Sequence, residues 1–264
     1  MQGTELEDRA SLEYRAGLVC RLGCKLAQAG SETRHILQSM HLLARALKLK
    51  DVQCGVNRTG TIVSLSSPSG ELTVFSKVLN FGINMSQVNA CHQLCLKAER
   101  NEFSSVEELA AALNEIGPVT YPRWLLIGLN AVAGAAFAYL NGGSSAVCLS
   151  ALLGAFIVMT VRFFLAARGY FDAFNYMVSA FTGSLTAVYI SRALGEGTAG
   201  ITLSLMATSL ILVPGFPFLN GFLDLFKGYI ENGITRLVQA TVLILSAATG
   251  ILGVILLISM EAFR

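Results

Sequence analysis

The sequence predicts a helical membrane protein with a water-soluble α+β domain at its amino-terminal end. Of the 264 residues, 53% are hydrophobic and 14% are charged, and the mean hydropathy is +0.59, which is too apolar for an ordinary soluble domain. Residues 1–122 carry 12 Lys/Arg and 12 Asp/Glu, whereas the longer remainder carries 7 and 5. We therefore expect a cytoplasmic α+β domain over residues 1–120 and a membrane all-α bundle of five transmembrane helices over residues 121–264.

Helical periodicity opens the predicted α+β domain. Leu18, Leu22 and Leu26 are spaced as one face of a helix over residues 11–29, which Gly30 ends. Ser31 is placed to cap a second helix, and the apolar stripe of that helix is formed by Ile36, Met40, Leu43 and Leu47.

Three strands and two further helices complete this domain. The strands are expected at about residues 51–56, 61–67 and 71–79, with Pro68-Ser69-Gly70 as the turn between the last two. Asn84 or Ser86 opens a third helix that runs to about residue 100. A shorter fourth helix begins from Ser104 and has an acidic first turn. A domain of roughly 110 residues is large enough to hold its own core.

The stretch YPRW, at residues 121–124, marks the start of the membrane part. Pro122 stops what precedes it, and Arg123 and Trp124 suit a membrane–water interface. Five apolar segments follow, each long enough to cross the hydrocarbon core at about 1.5 Å per residue. They lie at about residues 124–140, 145–165, 173–191, 199–219 and 236–259.

Two observations predict the orientation. The first residues, MQGTELEDR, are charged and contain no apolar signal-peptide segment, so the amino-terminal domain is expected in the cytoplasm. Five positive charges lie near the span ends on the side of the amino-terminal domain and two lie near the opposite ends, which also favours the side of that domain as the inner one. The carboxyl terminus is then outside. The lipid bilayer is an expected partner, and nucleic acid is not, because no basic run is present.

The fourth apolar segment contains LVPGFPFLNGFLDLFKG, at residues 212–228. Pro214 and Pro217, with Gly215 between them, predict a break in the helix. Broken backbone at membrane depth is tolerated where it is buried in protein or lines a watery cavity. The second half-helix would then present the amides of Phe218–Asn220 to an anion.

Polar side chains follow this break. Asn220 and Asp224 are spaced i, i+4 on one helix face, and Lys227 lies three residues further on. Arg162 and Arg236, at inner span ends, would attract a carboxylate. The alternative is a simple kink with interfacial polar groups and anchoring arginines. The candidate substrate-binding or gating residues are Pro214, Gly215, Pro217, Phe218, Asn220, Asp224, Lys227, Arg162 and Arg236.

Other constellations point to structure rather than to chemistry. Cys20/Cys24 and the pair Cys91/Cys95 beside His92 are interpreted as small core residues and not as zinc ligands. We expect no metal site and no cofactor. GSETR, at 30–34, is interpreted as helix capping, with a recognition or gating surface of Glu32, Arg34 and His35 as the alternative. No GxSxG, Walker A or HExxH motif is present, so we do not expect an enzyme.

The membrane part also contains small and hydroxyl residues. Ser179/Gly183 and Gly250/Gly253 are candidate helix-packing pairs. Asn130 and six hydroxyl residues are the remaining buried polar candidates of the spans. Most of them are expected to form helix-to-helix or i−4 backbone hydrogen bonds, with two or three left as candidates to line a path. The sequence does not select among Thr182, Thr186, Ser204, Thr208, Thr241 and Thr249.

Four motifs carry a family resemblance. LVPGFPFLNGFLDLFKGYIENGITR, AGSETR at 29–34, GINM at 82–85 and YPRW at 121–124 together resemble the bacterial threonine/serine exporter family. The likeness covers nearly the whole chain. Full-length members have about ten spans, so a chain with five resembles the larger subunit of the split, two-component version assigned to succinate. The resemblance implies efflux of a small carboxylate or amino acid through the bacterial cytoplasmic membrane, with a smaller integral membrane subunit as partner.

Three functions therefore stay open at the level of sequence. The first is a subunit of a secondary transporter that exports a small carboxylate, with succinate as the leading substrate. The second is a threonine/serine exporter subunit of the same architecture. The third is a membrane-anchored sensor or enzyme that acts through its cytoplasmic domain. Self-association of the chain is also left open.

Overall fold

A computed structural model describes residues 2–67, 70–79 and 81–262. In these residues the chain forms ten helices and one three-stranded sheet, and it divides into two compact units. Unit 1 takes in residues 1–120 and 216–237, and unit 2 takes in residues 121–215 and 238–264. The elements are α1 Gln2–Gln28, α2 Thr33–Ala46, β1 Gln53–Val56, β2 Gly60–Ser67, β3 Gly70–Lys77, α3 Met85–Glu99, α4 Val106–Glu115, α5 Arg123–Leu140, α6 Ser145–Ala167, α7 Asp172–Ala193, α8 Thr198–Leu210, α9 Gly215–Phe226 and α10 Ile230–Ala262.

The core of unit 1 forms where α1 packs against the sheet and against α2 and α3. The strands are antiparallel in the order β1-β2-β3, with Val63 paired with both Cys54 and Val74. The predicted stripes on α1 and α2 are confirmed, because their leucines and Met40 lie in this core. Pro68 and Ser69, the predicted turn, lie outside the described residues.

Helix α1 begins at Gln2, nine residues before the predicted start. Its first two turns are rich in Glu and other polar residues and have no apolar stripe, so periodicity gave no signal there. Glutamate, leucine and arginine favour helix without needing burial, which explains the early start.

The third and fourth helices begin at side-chain caps. The side chain of Asn84 accepts a hydrogen bond from the Gln87 amide, as one of the two predicted caps. Ser105 caps α4 by accepting from the Glu108 amide, one residue after the predicted Ser104. Each cap satisfies a backbone donor that the helix itself leaves free.

The cysteines of α1 and α3 belong to the core. Cys20, Cys24, Cys91 and Cys95 are buried, and burial raises the pKa of the Cys20 thiol to about 11. Within residues 2–67, 70–79 and 81–262, no group of three or more His, Cys, Asp or Glu is arranged to hold a metal ion.

Unit 2 is built from α5 to α8 and most of α10. Helix α6 packs against α5, α7 and α8, and α7 packs against α8. Close approach depends on small residues: a Cβ on Gly154 would lie 2.9 Å from Ala187 Cβ, and a Cβ on Gly183 would lie 2.8 Å from the Gly154 carbonyl oxygen. The apolar core of this unit contains Val158, Tyr176, Ala180, Leu212, Leu243 and Ala247.

The structure supports fewer membrane spans than the five predicted. Among the described residues, three helices are long and apolar enough to cross a membrane individually, namely α5, α6 and α10. The bent pair of α8 and α9 adds a fourth if the two helices form one span. A helix also occupies the predicted third span, as α7, but many of its residues are polar and it is not in this apolar set. The count of five is therefore not confirmed.

The helix break predicted at Pro214–Pro217 is present in the structure, but one of its expected details is not. Helix α8 ends at Leu210 and α9 begins at Gly215. Pro214 precedes α9 and Pro217 is its third residue, where the first helical turn tolerates proline. The expectation of free amides at Phe218–Asn220 is wrong, because these residues lie further inside the helix than the first three. Proline has no N–H, and the Gly215 amide donates to the Val213 carbonyl at 2.8 Å, so the first turn is poor in free donors.

Candidate functional site

The candidate site lies in unit 1 at the turn between α1 and α2. This turn is tight because Gly30 has a φ of +83°, a conformation that favours glycine. A Cβ at Gly30 would also lie 2.7 Å from the Gly82 carbonyl oxygen. The turn leaves the carbonyl groups of Gly30 and Ser31 and the first amides of α2 available to other elements.

Asp224 supplies the partner for the start of α2. Its Oδ1 accepts a hydrogen bond from the Thr33 amide at 3.0 Å, and its Oδ2 accepts one from Thr33 Oγ1 at 2.9 Å. The side chain is completely buried, and Arg236 Nε lies 3.3 Å from Oδ2. A carboxylate here satisfies a free backbone donor and favourably meets the positive end of the α2 dipole.

Three further side chains bind the same turn. Asn220 Nδ2 donates to the Gly30 carbonyl at 2.8 Å, and Arg236 Nη2 donates to the Ser31 carbonyl at 2.8 Å. Lys227 pairs with Glu32, with both side chains about a quarter exposed. We call Thr33, Asn220, Asp224 and Arg236 the Asp224 cluster. It ties residues some 190 positions apart in the chain to one another.

The local sequence of α9 and α10 determines where these side chains lie. Asn220 and Asp224 are one helical turn apart on one face of α9, as the i, i+4 spacing predicted, and both are buried. Gly228, with a φ of +85°, allows the short turn from α9 to α10. The two helices approach closely, since a Cβ on Gly233 would lie 2.8 Å from the Gly221 carbonyl oxygen. This closeness brings Arg236 on α10 beside Asp224 on α9.

The other predicted site residues are not members of this cluster. Pro214 and Gly215 form the break, and Phe218 is 38% exposed. Arg162 belongs to unit 2, where its Nη2 donates to the Tyr176 hydroxyl at 2.8 Å and its guanidinium lies 4.6 Å from the centre of that ring. The structure therefore gathers Asn220, Asp224, Lys227 and Arg236 and gives Arg162 separate partners.

Sequence reasoning missed the role of Thr33 and misplaced the cap of α2. Ser31 was expected to cap this helix, but the N-cap residue is Glu32 and its side chain makes no cap hydrogen bond. The hydroxyl of Ser31 instead lies 2.8 Å from His35 Nδ1. No local sequence signal identifies the distant carboxylate, because the burial of the helix start and the missing cap hydrogen bond of Glu32 are visible only in the structure.

Three of the four motifs that carry the family resemblance meet around this turn. AGSETR forms the turn itself, and the segment from Asn220 to Arg236 binds it. GINM lies against it as well, since the Gly82 amide donates to the Gln28 carbonyl at 2.8 Å and the Asn84 amide donates to the Ala29 carbonyl at 3.0 Å. Motifs that are far apart in the sequence therefore form one local structure.

An open cleft of about 530 Å³ lies on the outward face of α2. Arg34, His41 and Arg45 line it, together with His35, His92 and Tyr229. The rings of His35 and His92 are 5.5 Å apart. Burial and the neighbouring His92 lower the pKa of His35, and Glu32 opposes this shift. This cleft corresponds to the alternative interpretation of GSETR as a recognition or gating surface.

The lowered pKa of His35 predicts a loss of stability in mild acid. The unfolded chain takes up this proton near pH 6.5, whereas the folded chain resists it to a lower pH. Stability from the neutral ring is therefore complete above about pH 6.5 and declines as the pH falls through the lower folded value. Thermal unfolding of the purified chain between pH 7.5 and 5 measures this. His35→Gln should flatten the curve in this window.

Comparison with known proteins identifies the family. The profile of the ThrE family, described as "Putative threonine/serine exporter", matches residues 17–258. The chain belongs to this family. The resemblance inferred from the four motifs is thereby confirmed. Family membership and the helices of spanning length together make the chain a multi-pass membrane protein.

Two bacterial relatives match this exporter-family chain over most of its length. A Klebsiella aerogenes protein is 28% identical over 251 residues, covering 95% of each chain. An Escherichia coli K12 protein is 27% identical over 237 residues, covering 89% of this chain and 91% of the relative. Both are described as "Probable succinate transporter subunit YjjP". An "Uncharacterized protein" of Haemophilus influenzae is 27% identical over 123 residues, 47% of this chain and 41% of its own length. No solved structure matches the chain significantly.

Proposed function

We propose that this chain is one subunit of a secondary exporter in the bacterial cytoplasmic membrane, and that it moves a small carboxylate, with succinate as the leading substrate, out of the cell. Its partner is a smaller integral membrane subunit that completes the transport path. The observation that carries the proposal is the match, over 95% of both chains, to a relative described as a succinate transporter subunit. The chain acts as a transporter and not as an enzyme.

The orientation follows from the charge distribution. Residues 1–120 face the cytoplasm and the carboxyl terminus faces outward, because positive charges concentrate near the inner ends of the spans. The sequence contains no nucleotide-binding motif, so transport is driven by an ion gradient or by the substrate's own gradient. Arg162, whose guanidinium is held by Tyr176, adds positive charge that attracts a carboxylate.

The Asp224 cluster acts as a gating contact in this proposal. Asn220 and Arg236 of the cluster, and Lys227 beside it, follow the break at Pro214–Pro217 in sequence and bind the turn between α1 and α2. Asp224 binds Thr33 at the start of α2. The break, including Gly215, Pro217 and Phe218, gives the chain a joint at which α9 can move independently of α8. Release of Asp224 from Thr33, together with release of Asn220 from the Gly30 carbonyl, would free α9, and re-formation of these hydrogen bonds would hold α9 in place.

Export of threonine or serine by the same architecture is the second candidate. The family description favours it, since it names these amino acids. Both candidates involve a small solute that carries a carboxylate, so the architecture alone does not separate them. Measuring efflux of succinate, threonine and serine from the same cells does.

A membrane-anchored sensor is the third candidate, and the structure changes how it should be tested. Deleting residues 1–118 would remove Thr33 and the turn that Asp224, Asn220 and Arg236 bind. The truncated chain would then expose a buried carboxylate and would be damaged for reasons unrelated to sensing. Point substitutions on the exposed face of α2, such as Arg34→Ala with Arg45→Ala, test a sensing role without removing these partners.

The proposed function predicts that deleting the gene lowers succinate export. Cells of the native host are loaded with labelled succinate, threonine or serine, and the initial efflux rate is measured. Deletion should slow succinate efflux, and the intact chain supplied from a plasmid should restore it, provided that the partner subunit is present. Slowed threonine or serine efflux with normal succinate efflux would select the second candidate. Normal efflux of all three would contradict the proposal.

A further inference from the structure

The open cleft on the outward face of α2 has a basic lining that the Asp224 cluster does not use. Two arginines and three histidines line it, and none of its described lining residues is acidic. Its volume of about 530 Å³ falls within the roughly 300–1,000 Å³ of small-molecule sites. A recess that holds positive charge without an opposing carboxylate attracts anions.

The basic side chains of the cleft concentrate near the start of α2. Arg34 and Arg45 are eleven residues apart in the sequence, which is about 16 Å along a helix at about 1.5 Å per residue. A small solute therefore cannot contact both. The chain neighbour of Arg34 is His35, and the rings of His35 and His92 are 5.5 Å apart. One arginine and two histidines thus share the end of the cleft where α2 begins.

Tyr229, in the turn between α9 and α10, lines the cleft at the same end. Lys227, two residues before it, pairs with Glu32, which directly precedes α2. This ion pair also offsets the charge of Glu32, and Arg236 does the same for the buried Asp224. Neither acid therefore leaves a free negative charge here to repel an anion.

Several polar groups at this end of the cleft have no partner. Among the described residues, His92 Nδ1 is buried without a hydrogen-bond partner. The Arg34 guanidinium and the Tyr229 hydroxyl make no hydrogen bond to any described residue, and Arg34 forms no ion pair there. A buried polar atom without a partner raises the free energy of the folded state, and a ligand that pairs with it removes that cost.

We propose that Arg34, His92 and Tyr229 form a binding site for a small organic carboxylate in unit 1. The paired N–H groups of the Arg34 guanidinium match the two oxygens of a carboxylate. The Tyr229 hydroxyl donates one further hydrogen bond, and His92, with its hydrogen on Nδ1, donates another. The inference goes beyond the proposed function, because it assigns unit 1 a ligand site that needs no transport step.

The apolar part of the lining favours an organic ligand over an inorganic anion. Leu37, one helical turn from Arg34, also lines the cleft. Small-molecule sites commonly combine apolar walls with a few polar groups that fix the orientation of the ligand. The hydrocarbon part of a short carboxylic acid can contact Leu37, whereas inorganic phosphate has no such part.

A ligand held here would join elements that the Asp224 cluster also joins. Arg34 lies on α2, His92 on α3 and Tyr229 between α9 and α10. Occupancy therefore strengthens the contact between α2 and the turn from α9 to α10, and it stabilises the folded chain by mass action. Under the proposed gating role, a bound carboxylate favours the state in which α9 is held.

Calorimetry and thermal unfolding of the purified full chain test the ligand class. The probes are succinate, its uncharged diamide and inorganic phosphate, all at matched ionic strength. We expect succinate to raise the unfolding temperature and to bind at least about tenfold more tightly than the diamide, because hydrogen bonds to a charged group are the stronger ones. Diamide or phosphate that binds as tightly as succinate would overturn the assignment to an organic carboxylate.

Substitutions in the cleft test the position of the site. Arg34→Gln should raise the Kd for succinate at least about tenfold, because it removes the charged donor pair. Tyr229→Phe should raise it severalfold, because it removes one hydroxyl donor and keeps the ring. The control is Lys97→Gln, an exposed cation on α3 that does not line the cleft, and its Kd should be unchanged. An unchanged Kd in both cleft variants, or equal weakening in all three, would overturn the site.

The binding experiment and the efflux experiment can fail separately. Succinate binding that depends on Arg34, together with normal efflux in the deletion strain, would support this inference and contradict the proposed function. Slowed efflux in the deletion strain, together with no succinate binding to the purified chain, would overturn this inference and leave the proposed function in place.

Discussion

Replacing Asp224 with alanine is expected to destabilise the protein severely and to abolish export. The substitution leaves Arg236 without its carboxylate and removes the acceptor of both the Thr33 amide and the Thr33 hydroxyl. Breaking a buried ion pair by removing one partner typically costs about 3–5 kcal/mol. Thermal unfolding of the purified chain and membrane abundance measure the first effect, and solute efflux measures the second.

The matched control for Asp224 is the neighbouring pair Glu32 and Lys227. Its side chains are 23% and 27% exposed, whereas Asp224 is fully buried. Partly exposed pairs contribute at most about 1 kcal/mol, so Lys227→Ala should lower stability only slightly. Asp224→Asn, which keeps an oxygen for Thr33 but loses the charge opposite Arg236, should fall between the two. Near-normal stability of Asp224→Ala would contradict the cluster as described.

Replacing Gly250 with alanine is expected to disrupt the packing of unit 2. A Cβ at this position would lie 2.2 Å from the Met177 carbonyl oxygen and 3.0 Å from the Phe181 amide nitrogen, both of them backbone atoms of α7. Backbone cannot move aside as a flexible side chain can, so α7 and α10 must separate. Overpacking of this kind costs typically 1–3 kcal/mol, and sometimes more. Thermal unfolding and membrane abundance of the variant give the measurement.

Gly253 provides the comparison within the same helix. A Cβ there would lie 3.3 Å from the edge of the Phe181 ring, a contact that a small ring movement relieves. Gly253→Ala should therefore be nearly neutral. Equal damage from the two substitutions would show that the contact between α7 and α10 differs from the one described. From the sequence, Gly250 and Gly253 were interpreted together as one candidate helix-packing pair, and only the structure distinguishes them.

Local patterns in the sequence were sufficient to predict most of the helices and the three strands of the sheet. The apolar stripes of α1 and α2, the cap at Asn84 and the break at Pro214 each depend on residues within a few positions of one another. Such features follow from helix periodicity, capping and the missing N–H of proline, which are readable without tertiary contacts. The stretch that forms α7 was predicted as an apolar span, and hydropathy alone did not show which side of the helix its hydroxyl groups face.

The candidate site depends on contacts that local patterns do not contain. Asp224 and Thr33 are 191 residues apart, and neither residue by itself indicates the other. A serine before a helix is usually its cap, which favours Ser31, but in the structure a buried carboxylate from α9 binds the first amide of α2. The spacing of Asn220 and Asp224 predicted a shared face correctly, and the partner of that face came only from the fold.

Helix α10 has residues in both units. It is continuous over 33 residues, and its residues up to Leu237 belong to unit 1 whereas those from Val238 onward belong to unit 2. At about 1.5 Å per residue it is about 50 Å long, well beyond the roughly 30 Å of a hydrocarbon core. A single span does not need this length, so about 20 Å of the helix extends beyond the thickness of a hydrocarbon core. Gly250, which touches the backbone of α7, lies about four turns beyond Arg236 along this helix.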